Sequence, residues 1–117
     1  MIKTAVPVVP VTKLEPTIEA LTPLGFTTEW IHDPGQGLRY ASLKIDGVEI
    51  HLSESRGDGT GPTVTYFWVD DIDALVAASG HQAEDQSWGT REFWVRDADG
   101  NAFRFGQRWP QVKLSAC

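Results

Sequence analysis

Cysteine is nearly missing from this chain: there is one, Cys117, in 117 residues. That excludes a disulfide framework within the chain and any cysteine-based zinc knuckle. Long apolar runs are missing as well. Pro, Thr, Glu or Gly interrupts each hydrophobic stretch within about six residues, far below the roughly 18 that a membrane-spanning helix needs. Met1-Ile2-Lys3-Thr4-Ala5 has no apolar segment of a secretory leader. The expectation is a cytoplasmic protein with no membrane partner. Positive charge is scarce, with 10 Lys and Arg against 16 Asp and Glu and a net charge of −6. Sequence-independent nucleic-acid binding needs a positive field to displace counterions, so nucleic acid is excluded as a partner. No Ser-His-Asp nucleophile is readable, and the glycines at 57, 59 and 61 lack the Gly-Lys-Ser/Thr of a phosphate loop.

What the chain has instead is aromatic: five Trp, five Phe and two Tyr. It also has an internal repeat. Val11, Leu14, Ile18, Ala20 and Trp30 match Val69, Ile72, Val76, Ala78 and Trp88 at one constant spacing. A second match sets the stretch from Tyr40 to Ser53, with Asp46-Gly47, on that from Phe93 to Gly106, with Asp99-Gly100. Its spacing is shorter, so the first half carries a loop about five residues longer, placed at His32-Asp-Pro-Gly-Gln-Gly37 among turn formers.

Each half has the same grammar. Val6 to Val11 and Val64 to Val69 are β-branched or aromatic runs, hence strands. Thr12 with Glu15, and Asp70 with Asp73, are expected to cap the helices that follow, and Asp70 and Asp71 together read as cap carboxylates rather than an acid–base pair. Leu14, Ile18 and Leu21 form one helical stripe, and Ile72, Leu75, Val76 and Ser79 the other. Strands are predicted over 26–31 and 83–88. Hairpins follow, over 38–45 with 48–54 and over 91–96 with 101–107. The order is βαβββ, twice: an α+β chain forming one domain from two modules, about 1–56 and 63–108, with a mobile linker at 57–62 and a tail at 109–117. Cys117 reads as an inert thiol on that tail, and Trp109 has no assigned place.

Alternation sorts the strands into a helix-packed face and a face turned away. Phe93, Val95, Phe103, Phe105, Thr65, Phe67, Ile50 and Leu52 are expected under the helices. The outward set is Tyr66, Trp68, Trp94, Glu92, Arg96, Arg104 and Ala102 in the second half. In the first half it is Ala41, Leu43, Glu49 and His51. Aromatics mixed with charges make poor core and poor open surface, and suit the lining of a pocket. Pro7 and Pro10 cannot donate into a central ladder, so the first strand is predicted at an edge or a seam.

Phe67-Trp68-Val69-Asp70-Asp71-Ile72, together with Trp88-Gly89-Thr90-Arg91-Glu92-Phe93 running into Arg96-Asp97-Ala98-Asp99-Gly100-Asn101-Ala102-Phe103-Arg104-Phe105, resembles the vicinal-oxygen-chelate superfamily. That group contains glyoxalase I, fosfomycin-resistance enzymes, ring-cleaving dioxygenases and bleomycin-resistance proteins. The resemblance spans nearly the whole chain and implies curled sheets forming a cup, paired across a homodimer. Metal enzymes of the superfamily place His, Glu or Gln at positions that correspond here to Val6, His51, Val64 and Arg104. Only His51 could ligate, since valine has no donor atom and guanidinium stays protonated.

Loss of the ligands is what the bleomycin-resistance branch shows. The resemblance therefore implies a non-enzymatic, metal-free protein with no cofactor. It would sequester a drug such as bleomycin, or a related aromatic or cationic ligand, in a cleft between subunits. Trp68, Trp94 and Tyr66 would stack on the ligand, with Glu49 and Glu92 as charge complement. His51 is expected as a cup-facing hydrogen-bonding group. Arg104 and Arg96 oppose a purely cationic ligand: either they pair with Glu92 and Glu49, or the ligand carries an anionic or carbonyl group. The alternative reading is a metal-dependent lyase, isomerase or dioxygenase with a site rebuilt around His51. The first strand, in turn, would be exchanged between subunits or docked at the dimer interface.

Overall fold

In the computed structural model, which describes residues 1–108, the doubled order is realised as two open four-stranded sheets. Trp109 and Cys117 lie outside the described residues. The first sheet contains β1 (Val8–Pro10), β2 (Thr27–His32), β3 (Tyr40–Ile45) and β4 (Val48–Ser53), in the order β1-β4-β3-β2, with helix α1 (Leu14–Leu21). The second contains β5 (Val64–Trp68), β6 (Glu84–Asp85), β7 (Thr90–Arg96) and β8 (Ala102–Arg108), in the order β5-β8-β7-β6, with helix α2 (Ile72–Ser79). Contacts group Met1–Thr63 with Arg96–Asn101 into one unit, and Val64–Val95 with the chain from Ala102 onward into another. No helix among the described residues is long and apolar enough to cross a membrane.

The repeat is visible in the ladders. In each unit the first strand pairs in parallel with the last, Val8 opposite His51 and Tyr66 opposite Arg104. A backbone bond of 2.9 Å closes each pairing, from Val11 N–H to the Ser53 carbonyl and from Val69 N–H to the Gly106 carbonyl. Parallel neighbours need a long crossover, and the helix supplies part of it. β1 stands at the edge of its sheet, where the missing N–H of Pro10 costs nothing.

Apolar alternation builds both cores. Leu14 and Leu21 of α1 are buried with Val9, Ile50 and Leu52. In the second unit Phe67, Phe105 and Phe93 stack in sequence at 4.9 and 5.0 Å between ring centroids, and His81 continues the stack on Phe93 at 5.3 Å. Each such side chain removed from water contributes roughly 1.5–3 kcal/mol.

The structure corrects three expectations. Ala41 and Leu43 do not face outward: they pair directly with Leu52 and Ile50, and all four are buried. The outward residues of β3 are Tyr40, Ser42 and Lys44, which pair with Ser53, His51 and Glu49. The cause is loop length. Ile45 and Val48 flank a two-residue turn, whereas Asp97 N–H bonds the Asn101 carbonyl across three residues, so matching β3 to β7 without a gap is wrong by one residue.

The helix caps are the second correction. Thr12 and Glu15 do not cap α1; Leu14 N–H donates to Glu54 at 2.9 Å, and Thr12 turns to Asp99. In α2 the capping side chain is Asp71, not Asp70, accepting from Ala74 N–H, while Gln107 accepts from Ile72 N–H at 2.8 Å. Glu54 and Gln107 occupy matching places in the repeat, each gripping its unit's helix from the end of the last strand. Third, the strand predicted over 83–88 shrinks to Glu84–Asp85. The stretch after β4 begins with a 3-10 turn over Arg56–Asp58, held by Ser55 and by a 2.6 Å bond from the Ser53 hydroxyl to Asp58.

A polar hub organises the first unit. The fully buried Asn101 side chain donates to the Pro10 carbonyl and to Asp97, both at 2.9 Å, and accepts from the backbone and the hydroxyl of Thr63. Gly61 makes room for it, since a Cβ there would sit 2.8 Å from the Asn101 oxygen. Asp97 and Asp99 on the same turn bond the hydroxyls of Thr17 and Thr12.

Candidate functional site

On the second sheet, the face away from α2 collects Tyr66 and Trp68 from β5, Glu92 and Trp94 from β7, and Arg104 and Arg108 from β8. Glu92 is its anchor, with 2 % of its surface exposed. One carboxylate oxygen accepts from the Tyr66 hydroxyl at 2.7 Å, the Thr90 hydroxyl at 2.8 Å and Trp88 Nε1 at 3.3 Å. The other accepts from Arg104 Nη2 at 2.8 Å. Burial opposes the charge, but these four bonds outweigh it and hold the carboxyl down to about 2. Burial, then the bond to Glu92, pushes the Tyr66 phenol up to about 12, so it remains a donor at neutral pH.

The Arg104 guanidinium lies 4.2 Å from the Trp94 ring centroid and 5.1 Å from that of Tyr66. Arg108 lies 5.0 Å over Trp68, whose ring meets Tyr66 edge-on at 5.0 Å. The indoles are nevertheless open to solvent: Trp68 is 60 % exposed, Trp88 61 % and Trp94 42 %. Beneath them Gly106 has no side chain because a Cβ there would collide with the Tyr66 hydroxyl and crowd Glu92. Gly106→Ala is therefore expected to expel Tyr66 from its bond with Glu92 and cost about 2 kcal/mol or more. Urea denaturation, with tyrosine absorbance as a second probe, checks this.

The first sheet's face away from α1 has a different chemistry. His51 Nε2 lies 2.8 Å from Glu49, and Nδ1 lies 2.9 Å from the Tyr40 hydroxyl. Because a carboxylate only accepts, a neutral imidazole here carries its hydrogen on Nε2 and takes the Tyr40 proton at Nδ1. Ser42 donates to Glu49 at 2.7 Å, and this bond, then the one from His51, lowers the Glu49 carboxyl. Trp30 stacks on Tyr40 at 6.0 Å between centroids, lies tilted against His51 at 5.5 Å, and is 45 % exposed. Sequence reasoning missed Tyr40 and Trp30. The one-residue phase error hid Tyr40, and Trp30 was read only as the repeat partner of Trp88.

A separate hollow of about 450 Å³ in the first unit, bordered by Glu54, Arg56, Thr60 and Asp99, holds none of the expected site residues.

No family model matches the chain, and no curated protein matches it by sequence. Solved structures do match. A glyoxalase-related enzyme from Clostridium phytofermentans superposes with a TM-score of 0.72 at 19 % identity, over 92 % of this chain and 96 % of that one. The bleomycin resistance determinant encoded on transposon Tn5 gives 0.70 at 19 % identity, over 92 % and 98 %. The bleomycin-binding protein from bleomycin-producing Streptomyces verticillus, complexed with copper(II)-bleomycin, gives 0.64 at 23 % identity, over 90 % and 97 %. The chain has the glyoxalase/bleomycin-resistance fold.

Within the glyoxalase/bleomycin-resistance fold, the four positions set aside for metal ligands do not fit a divalent ion here. Val6 and Val64 have no donor atom, and Val64 is 63 % exposed. Arg104 is tied to Glu92, and both ring nitrogens of His51 are engaged. Among the described residues no three His, Cys, Asp or Glu side chains gather so as to hold a metal. The expected site residues fall into two groups: Tyr66, Trp68, Trp94, Glu92 and Arg104 share one sheet face, and His51 with Glu49 another. Arg104 pairs with Glu92, but Glu49 pairs with His51 and not with Arg96. Arg96 groups with the first unit and reaches the Gly100 carbonyl at 3.5 Å.

Proposed function

We propose that this chain is a small-molecule binding protein of the bleomycin-resistance kind. It sequesters an aromatic ligand, bleomycin or a related drug, without metal and without altering it, in a cleft completed by a second copy of the chain. The exposure of Trp68, Trp88 and Trp94 on one sheet face carries this reading. Several large exposed rings on one small domain are costly in water and mark a surface that something covers. Likeness of fold to bleomycin-binding proteins supports it. Tyr66, Trp68 and Trp94 stack on the ligand, while Glu92, its oxygens already committed, positions Arg104 rather than touching the ligand. His51 and Glu49 offer a hydrogen-bonding face of their own on the first unit, the unit to which Arg96 also belongs. The edge strand β1, with Val8 39 % exposed, is the segment a second copy would engage.

Titration with bleomycin followed by tryptophan fluorescence tests the reading. Saturable quenching at one or two drugs per dimer is the expected result, with light scattering on a sizing column giving a dimer. An enzyme rebuilt around His51 is the competing reading, favoured by the Tyr40–His51–Glu49 chain, which has the form of an oriented base. Stoichiometric zinc, iron or manganese in the purified protein, with no response to bleomycin, would decide for the enzyme.

A further inference from the structure

The charges on the aromatic face are not evenly matched. Glu92 is saturated by four donors, but Arg104 is far from saturated: a group with five N–H bonds spends one nitrogen on Glu92. Its Nε is buried with no acceptor, and its Nη1 makes no hydrogen bond to a described residue. A buried donor without an acceptor is destabilising, but Nε lies out of reach; the Arg104 side chain is 23 % exposed, and its outer N–H groups are those a ligand oxygen can meet. Arg108, exposed over Trp68, forms no ion pair among the described residues. The opposing carboxylate on this face, Glu84, pairs with Glu92 across the β6–β7 ladder. In the strand order β5-β8-β7-β6, both guanidinia stand on β8, beside the rings of β5, and Glu84 lies on the far edge strand. The face is therefore basic where it is aromatic, in a chain whose net charge is −6.

Deepening the binding function proposed above, and resting on it, we infer that this face selects a planar aromatic ligand bearing an anionic oxygen, a carboxylate or phenolate. Arg104 is its specificity-determining residue. The ring of such a ligand lies against Trp94 and Trp68, and its oxygen accepts from the Arg104 fork, with Arg108 as the outer charge. A guanidinium bonded to Glu92 and held within 4.2 and 5.1 Å of two ring centroids has less rotamer freedom to lose when the ligand arrives, so the hydrogen bond is formed at little further entropic cost. A cationic ligand would meet Arg108, which has no ion pair among the described residues, and an Arg104 whose one carboxylate partner is already saturated.

Three matched probes separate the possibilities: 2-naphthoate, 2-naphthamide and 2-naphthylmethylammonium, titrated into the full chain by calorimetry and tryptophan fluorescence. Naphthoate is expected to bind about tenfold or more tightly than the amide, as a charge-assisted bond in a desolvated setting allows, with the ammonium weakest. Arg104→Gln should abolish the naphthoate advantage while leaving the amide within about twofold. Because Arg104→Gln also strips Glu92 of its partner, Arg108→Gln serves as the second variant, with an expected loss of about threefold for naphthoate alone. Equal or tighter binding of the ammonium overturns the inference, as does an unchanged naphthoate-to-amide ratio in Arg108→Gln. If none of the three probes binds, the anion inference falls while saturable quenching by bleomycin still upholds the binding function. If bleomycin also fails, both fall.

Discussion

Glu92→Gln is expected to cost about 3–5 kcal/mol of folding stability, the range for breaking one side of a buried ion pair. The amide oxygen can replace the carboxylate oxygen that serves Tyr66, Thr90 and Trp88, but the NH2 then faces Arg104 Nη2, donor against donor. In a domain of this size that corresponds to a fall in Tm of roughly 10–20 °C. The same residue sets an acid limb. Its carboxyl is held at about 2 in the folded protein, below its unfolded value of 4.5. A depressed carboxyl contributes stability that is fully present above the unfolded value and lost as pH falls through the folded one. The wild-type chain should thus lose about 3 kcal/mol on this account between about pH 4.5 and 2. Thermal melts followed by circular dichroism across that window check both claims. Glu92→Gln should start lower at pH 7 and lose less on acidification. An acid limb as steep as that of wild type would remove Glu92 as its source.

The second large effect is at Asn101. Asn101→Asp keeps the size and shape of the side chain, but turns the donor facing the Pro10 carbonyl and the Asp97 carboxylate into an oxygen. With the side chain fully buried, two lost bonds and a carboxylate–carboxylate contact should cost about 3 kcal/mol or more at neutral pH. Part of that should return on mild acidification, as the new pair of carboxylates takes up one proton. Asn101→Ala loses all four bonds but introduces no repulsion, so it should be destabilised with no such recovery. Urea midpoints at pH 7 and pH 5 distinguish the two. Hydrogen exchange at Thr63, whose N–H loses its acceptor in Asn101→Ala, reports the local opening.

The doubled architecture was legible because alternation and turn chemistry are local. Phe93, Val95, Phe103 and Phe105 declare their face within a few residues, and Asp46-Gly47 declares a hairpin. The edge position of β1 followed from Pro7 and Pro10. What failed were features set by residues distant in sequence or by loop length. Leu14 N–H is bonded by Glu54 and Ile72 N–H by Gln107, each far along the chain, so a search for nearby Ser, Thr or Asp found Asp71, which does cap α2, but also Thr12 and Asp70, which cap nothing, and neither distant partner. Thr12 proved to be committed to Asp99. The face of β3 failed because one additional residue in the second hairpin loop shifts a period-two pattern by its full range, hiding Tyr40 and Ser42 beside His51. The aromatic face of the second sheet was readable from Tyr66, Trp68 and Trp94. The saturation of Glu92 was not, because Trp88 lies before β7 and Thr90 at its first position, and nothing in the pattern says where their donors point.

Asn101 also bears on the order of synthesis. Pro10, Thr12, Thr17 and Thr63 all rely on the turn that carries Asp97, Asp99 and Asn101, which is made after both helices and all but the last strand. A ribosome adding about 5–20 residues per second usually lets the N-terminal part of a chain fold first. Here the first sheet's hub lacks its asparagine until residue 101 has been added, after both helices and seven of the eight strands. The head start that vectorial synthesis gives an N-terminal unit is withheld from this one, and the first sheet completes its hydrogen bonding only once the second has almost left the ribosome.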